Sequence, residues 1–197
     1  MELSVKTRKN KTDLYLDGEF LFTVPSVIWY SSRFREGDEV EKEELLSLKE
    51  EGDSSMAFDS AMRMLSLRAH SEYELRTKLK MKFSENAVDF AVEKLFSLEL
   101  LDDEKFSHLL AEELYERKGF APKRIVLELK NRGINSETAQ NAVNALDIDK
   151  KIGIIKVIEK MKITESSTHK EKDRAIRRLI NMGYSYSEIS DYISIYE

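Results

Sequence analysis

Apolar residues recur at helical spacing along most of the chain, and the clearest stretch runs from Ala121 to Leu146. Ile125 and Leu129 are four apart and share one helix face. Pro122 stands where a first helical turn tolerates a missing N–H, and Gly133 where a helix ends in a left-handed residue. Asn135 or Ser136 then caps a second helix whose inner face carries Ala139, Ala142, Val143 and Leu146. The pattern predicts a helix-turn-helix hairpin.

The hairpin recurs at a step of 50 residues. Gly133 maps onto Gly183, Leu129 onto Leu179, Ile134 onto Tyr184, Ala139 onto Ile189 and Val143 onto Ile193. Stepping back, Ile125 maps onto Leu75 and Leu129 onto Leu79, while Asp103, Phe106 and Ala111 map onto Asp53, Met56 and Ala61. Ser71 with Glu74, and Ser185 with Glu188, have the spacing of a capping box. A three-helix unit repeated at this period predicts a stacked helical array.

Residues 2–24 have a different rhythm. Leu3 and Val5 alternate with polar residues, and Leu14, Leu16, Phe20 and Phe22 flank Asp17-Gly18, a hairpin turn signal. A small antiparallel sheet is predicted, then a short helix after Pro25 and a charged helical segment with Leu45, Leu46 and Leu48. Gly52-Asp53-Ser54-Ser55 reads as the boundary with the first repeat. The expected division is an N-terminal module over 1–52 and repeats over 53–101, 102–147 and 148–197. Helices are expected near 54–69, 72–82 and 85–98, near 103–118, 122–132 and 136–146, and near 149–162, 171–182 and 186–196. Thr164 to His169 reads as a longer loop. The fold class is mainly α, three tandem three-helix repeats behind a β-containing module.

Composition excludes several classes. In 197 residues there is no cysteine, which removes disulfides and thiol chemistry, and 41% hydrophobic residues suffice for a core. No apolar run is long enough for a membrane span, and the first ten residues lack a signal-peptide core, so a cytoplasmic protein is expected. The net charge of −5 is uneven: residues 1–53 hold 8 basic and 13 acidic side chains, and the remainder is balanced. Residues 63–82 carry 6 basic against 2 acidic, 117–132 carry 6 against 1, and 150–178 carry 10 against 4. The intervening 83–116 has 2 against 10. Stacked in register, the repeats would present one basic and one acidic stripe.

Reactive constellations are scarce. His70, His108 and His169 are isolated, and Asp102-Asp103-Glu104 reads as carboxylates at a helix start rather than as a metal or acid-base cluster. Phe83, Phe90, Phe96, Phe106, Tyr115 and Phe120 read as core at helical spacing, as do Trp29 and Tyr30. The recurring cations are the candidate binding residues. Lys80 maps onto Lys130, Lys82 onto Arg132 and Arg124 onto Arg174, while Arg76 shares a face with Lys80 and Arg177 with Arg178 extend the last group. Arg68 and Lys123 complete the set. Either they form a solvated face offset by carboxylates, or they contact a regularly spaced partner.

Several runs of residues resemble the RecX family, regulators of the RecA recombinase. They include Arg68 with Ser71, Glu74, Leu75, Lys78 and Leu79, then Leu100 to Asp103 with Phe106. Lys118-Gly119 with Pro122, Ile125, Leu129 and Gly133-Ile134 follow, then Arg174 and Met182 to Ser185 with Ile189. Leu14 to Phe20 and Gly37 to Glu39 resemble the extension found in many members. Phe83 and Glu99 depart, standing where glycine is usual. The resemblance implies a curved, elongated array without catalysis or cofactor. It also implies a protein that binds RecA filaments on single-stranded DNA and inhibits or modulates ATP hydrolysis, filament extension and strand exchange in recombinational repair. DNA is met directly or through the filament, without membrane involvement, by a chain expected to be a monomer. The competing expectation is a stand-alone DNA-binding helical-repeat protein. It would lack sequence specificity, because no Asn or Gln recurs at equivalent middle-helix positions.

Overall fold

The computed structural model describes residues 1–193, without the side chains of Lys150, Asp191 and Ile193. The chain divides into two compact units, Met1–Asp102 and the part from Asp103 onward.

The first unit opens with an antiparallel sheet of β1 (Leu3–Arg8), β2 (Lys11–Leu16) and β3 (Glu19–Pro25), ordered β1-β2-β3. Asp17 and Gly18 both take positive φ, 49° and 82°, as a tight two-residue hairpin requires. Alternation puts Leu3, Leu14, Leu16 and Val24 into an apolar cluster. Ile28 and Trp29 from α1 (Ser26–Ser31) join it, as do Leu45 and Leu48. Thr12 closes the polar edge of this core by donating a buried hydrogen bond to Ser26 Oγ, 3.0 Å. Tyr30 is 66% exposed, against the core role expected for it. Adjacent helical residues point about 100° apart, so Trp29 and Tyr30 do not share one face.

The interruption expected at Gly52 is absent. After a 3-10 turn over Lys42–Leu45, α2 runs unbroken from Leu46 to Leu67 and packs against both β3 and α4 (Glu85–Ser97). Its first half carries Leu48 into the sheet core, and its second half carries Ala57 and Ala61 into a separate three-helix core with α3 (Glu72–Leu79) and α4. Gly52 is buried because a Cβ there would lie 2.5 Å from Val24 Cγ1. The glycine permits close approach of helix and strand instead of marking a linker.

Leu75, Leu79, Val88, Val92 and Leu95 fill the three-helix core. Ser71 and Glu74 form the expected capping box. At the two departures from glycine the turns differ. Phe83 has no positive φ, and α3 ends in a turn where the Lys82 and Phe83 N–H groups both donate to Leu79 O. Glu99 is left-handed at φ 57°, with Leu100 N–H donating to Leu95 O as in a Schellman cap. A side chain in that region is strained by about 1–2 kcal/mol. Glu99→Gly is therefore expected to stabilise the first unit by about 1 kcal/mol, after the wider unfolded ensemble of glycine is counted. A urea midpoint that stays put or falls would count against it.

The second unit holds two three-helix groups. The first comprises α5 (Asp103–Glu116), α6 (Pro122–Asn131) and α7 (Ser136–Asn144) around Phe106, Leu114, Ile125, Leu129, Ile134 and Val143. The second comprises α8 (Lys150–Lys160), α9 (His169–Asn181) and α10 (Tyr186–Ile193) around Ile154, Ile158, Leu179, Tyr184 and Ile189. The expected helix beyond 193, and the side chain of Ile193, lie outside the described residues. Asn135 is the cap of α7 and accepts from Thr138 N–H at 2.8 Å. The loop expected to reach His169 ends sooner, because Thr168 and Glu171 form a capping box that starts α9 at His169.

Both hairpins turn on a left-handed glycine, Gly133 at φ 83° and Gly183 at φ 96°. Ile134 N–H donates to Leu129 O at 3.2 Å, and Tyr184 N–H to Leu179 O at 3.1 Å, the same closure 50 residues apart. The second group then packs against the first through this turn. Ala121 N–H donates to Met182 O at 2.9 Å, Tyr184 OH donates to Gly119 O at 3.0 Å, and Asp149 N–H donates to Tyr115 OH at 3.0 Å. Burial, with Tyr115 and Glu188 nearby, pushes the Tyr184 phenol up to about 12.

Candidate functional site

The cations singled out in the sequence meet two different fates. In the first unit three of four lie against carboxylates. Arg68 at the end of α2 holds Glu74 through both terminal nitrogens, at 2.9 and 3.0 Å, and that bond raises its pKa. Arg76 on α3 pairs with Glu72 one turn back and with Asp89 on α4, and Lys80 pairs with Glu85 at 2.8 Å. Lys82 is exposed in the turn that follows. Exposed pairs of this kind contribute less than about 1 kcal/mol each. Their chief effect here is to neutralise the basic face of α3.

His70 sits beneath this network, 5% exposed. Its Nδ1 lies 3.0 Å from Arg68 O and its Nε2 3.0 Å from Lys78 Nζ. Burial, opposed by the Arg68 carbonyl and supported by the charges of Arg68 and Lys78, lowers its pKa. The neutral ring, donating from Nδ1 and accepting from Lys78, fits this setting. The histidine is a structural joint at the start of α3.

In the second unit the cations gather around two grooves. Lys123 and Arg124, at the start of α6, line one of about 660 Å³ together with Leu127, Ile180 and Ser185. Arg124 also pairs with Glu128 and lies 5.6 Å from the Phe120 ring centroid. Lys130 and Arg132 stand at the far end of α6, outside both grooves. Arg174, Arg177 and Arg178 line the other groove, of about 800 Å³. Arg124 and Arg174, equivalent by the 50-residue step, thus occupy different grooves.

Arg117, Lys118 and Lys160 join the three arginines in the larger groove. None of them stood out by register, because they come from the ends of first helices rather than from the middle helices. The uneven charge blocks 117–132 and 150–178 already contained all three. Among the described residues no carboxylate lines this groove, and Phe120, Met161 and Met182 provide apolar surface within it. Phe120, expected as core, is half-buried, and Phe90 and Phe96 are 44% and 42% exposed. On α4 the inner face is already filled by Val88, Ala91, Val92 and Leu95. Among the described residues no group of three His, Cys, Asp or Glu is placed to hold a metal ion, and no helix is long and apolar enough to cross a membrane.

Comparison with known proteins agrees with the helical pattern. Residues 57–95 match the family description of the RecX first three-helix domain, and residues 102–143 that of the RecX second three-helix domain. The regulatory protein RecX of Caldanaerobacter subterraneus is 27% identical, with 96% of this chain and 95% of that protein covered. Its namesake in Bacillus velezensis is 27% identical over 94% of this chain and 73% of the relative. A crystal structure of a regulatory protein RecX superposes with a TM-score of 0.62 at 18% identity, covering 98% of this chain and 97% of the other. RecX from Lactobacillus salivarius gives 0.58 at 21% identity, covering 73% and 96%. These two solved structures share the fold. From matched three-helix domains, near full-length relatives and a common architecture, the chain belongs to the RecX family of regulatory proteins.

Proposed function

We propose that the chain is a non-enzymatic regulator that binds RecA filaments on single-stranded DNA and restrains ATP hydrolysis, filament extension and strand exchange. It acts as a monomer in the cytoplasm, in recombinational repair. Family membership supports the partner, and the carboxylate-free groove around Arg174, Arg177 and Arg178 supports the mode of contact. A filament on DNA offers both acidic side chains and phosphates, and exposed cations in a groove without carboxylates are suited to meet them. On this reading Lys123, Lys130 and Arg132 contribute secondary contacts.

Arg174→Glu/Arg177→Glu/Arg178→Glu is expected to melt within about 1 kcal/mol per site of the unaltered chain, since these side chains lie on an exposed helix face. Inhibition of RecA ATPase should weaken tenfold or more at moderate salt. If the three arginines meet phosphates, the salt slope of binding should fall by about 2, at roughly 0.7 per contact on a single strand. Equal inhibition by variant and parent at every salt concentration would move the contact elsewhere, to the acidic helices near Glu112, Glu113 and Glu116. Retained binding to single-stranded DNA with no response to RecA would favour the stand-alone DNA binder.

A further inference from the structure

The larger groove has features that a filament contact does not require. We propose that it is a binding site for a free nucleoside triphosphate, with the phosphates held by Arg174, Arg177, Arg178 and Lys160 and the base packed on Phe120, Met161 and Met182.

Cations reach this groove from three elements. Arg117 and Lys118 come from the end of α5, Lys160 from the last turn of α8, and the arginines from α9. Lys160 has an ordinary explanation, because a cation at a helix C-terminus complements the dipole there. The same holds for Arg178 in the last turn of α9, but not for Arg174, two turns from that end. Arg174 and Arg178 are four apart on one face, a like-charge pairing that weakens a helix. The carboxylates of the same helix are engaged at its start, Glu171 with Thr168 and Asp173 with His169. Glu171 feels the charge of Arg174, and Arg177 Nε donates to Asp173 O at 3.3 Å, yet neither carboxylate lines the groove, and a cavity whose charged lining is cationic lowers the free energy of a compact polyanion.

Size and lining favour a small ligand. About 800 Å³ lies within the range of small-molecule sites, and those sites combine apolar walls with a few converging polar groups. Phe120 offers an aromatic face with Lys118 Nζ 5.8 Å from its centroid, a setting in which a base stacks and a cation remains at hand for phosphate. The Asn181 amide, also in the lining, can both donate to and accept from a base edge. Arginine forks match phosphate oxygens two at a time, and three of them converge.

Binding of this kind needs no recombinase, so it succeeds or fails apart from the filament contact. The test is calorimetric titration of the full chain with ATP, with inorganic tripolyphosphate and with a twelve-residue oligothymidylate. One ATP per chain is expected, held at least tenfold more tightly than tripolyphosphate. Arg174→Ala/Arg178→Ala should weaken both by tenfold or more. Phe120→Leu, which keeps apolar bulk but removes the ring, should weaken ATP about tenfold and leave tripolyphosphate unchanged. Phe120 and Met161 both pack against neighbouring core residues, so Met161→Ala is a second removal of the apolar wall with the same expected selectivity, and unchanged tripolyphosphate binding by either variant shows that the fold is kept. Equal affinity for ATP and tripolyphosphate, indifference to both wall variants, or binding of the oligonucleotide alone would each overturn the nucleotide site.

Discussion

Gly183→Ala should destabilise the second unit by about 2–5 kcal/mol, measured as a shift in urea or thermal midpoint. Two costs combine. The backbone at φ 96° is left-handed, which an L side chain resists by about 1–2 kcal/mol. The added Cβ would also lie 2.7 Å from Arg124 Cβ and 3.1 Å from Arg124 N, and overpacking of this sort adds about 1–3 kcal/mol. One of those neighbours is backbone, so a change of rotamer does not relieve the contact. Gly18→Ala is the control, since Gly18 has φ 82° but nothing within 4 Å of its would-be Cβ. It should lose only the first cost. Equal losses at the two sites would mean that the two three-helix groups give way without strain at this turn. Whole domains are stable by only about 5–15 kcal/mol, so the upper end of the range approaches unfolding.

The second large effect is expected at Gly52→Ala, and there two terms oppose each other. Alanine is favoured over glycine inside a helix by about 1 kcal/mol, which alone would stabilise α2. Against this stands the contact of the new Cβ with Val24, 2.5 Å from Cγ1 and 3.0 Å from Cβ, in a β-branched side chain with little rotamer freedom. Separating β3 from α2 costs about 1–3 kcal/mol, so a net loss of up to about 2 kcal/mol is expected. Val24→Ala alone should also destabilise, by leaving a cavity. Combined, the two changes make room for each other, and a coupling of at least about 1 kcal/mol should appear in the double-mutant cycle. Strict additivity would show that strand and helix do not meet as closely as the glycine implies.

The role of Gly52 is set by a tertiary neighbour and not by its local sequence. A glycine followed by Asp-Ser-Ser has the composition of a linker, yet the same letters sit inside a helix when a neighbouring strand demands close approach. Val24 is 28 positions away, and no local pattern connects the two. Gly133 and Gly183 were legible because their requirement is local: a helix ends, φ turns positive, and an apolar residue follows. Capping was equally legible at Ser71 and Ser185, and at Thr168 the same Ser/Thr-x-x-Glu spacing was present but lay within a polar run that resembled a loop.

The cations show a similar divide. Their recurrence every 50 residues is visible in the chain, whereas whether a carboxylate answers them depends on tertiary neighbours. Arg76 meets Asp89 only because α3 and α4 pack together, and Lys80 meets Glu85 across the turn between them. Register also drew attention to middle helices and away from Arg117, Lys118 and Lys160, which reach the larger groove from helix ends.

Trp29 is the chain's one tryptophan, and it is buried in the sheet core of the first unit. Indole emission therefore follows the environment of that core alone, while far-ultraviolet circular dichroism sums helices from both units. The molecule thus carries a built-in reporter for half of itself. If the fluorescence and dichroism curves coincide during denaturation, the two units unfold as one cooperative block. If they separate, the gap between the midpoints measures how independently each half keeps its fold.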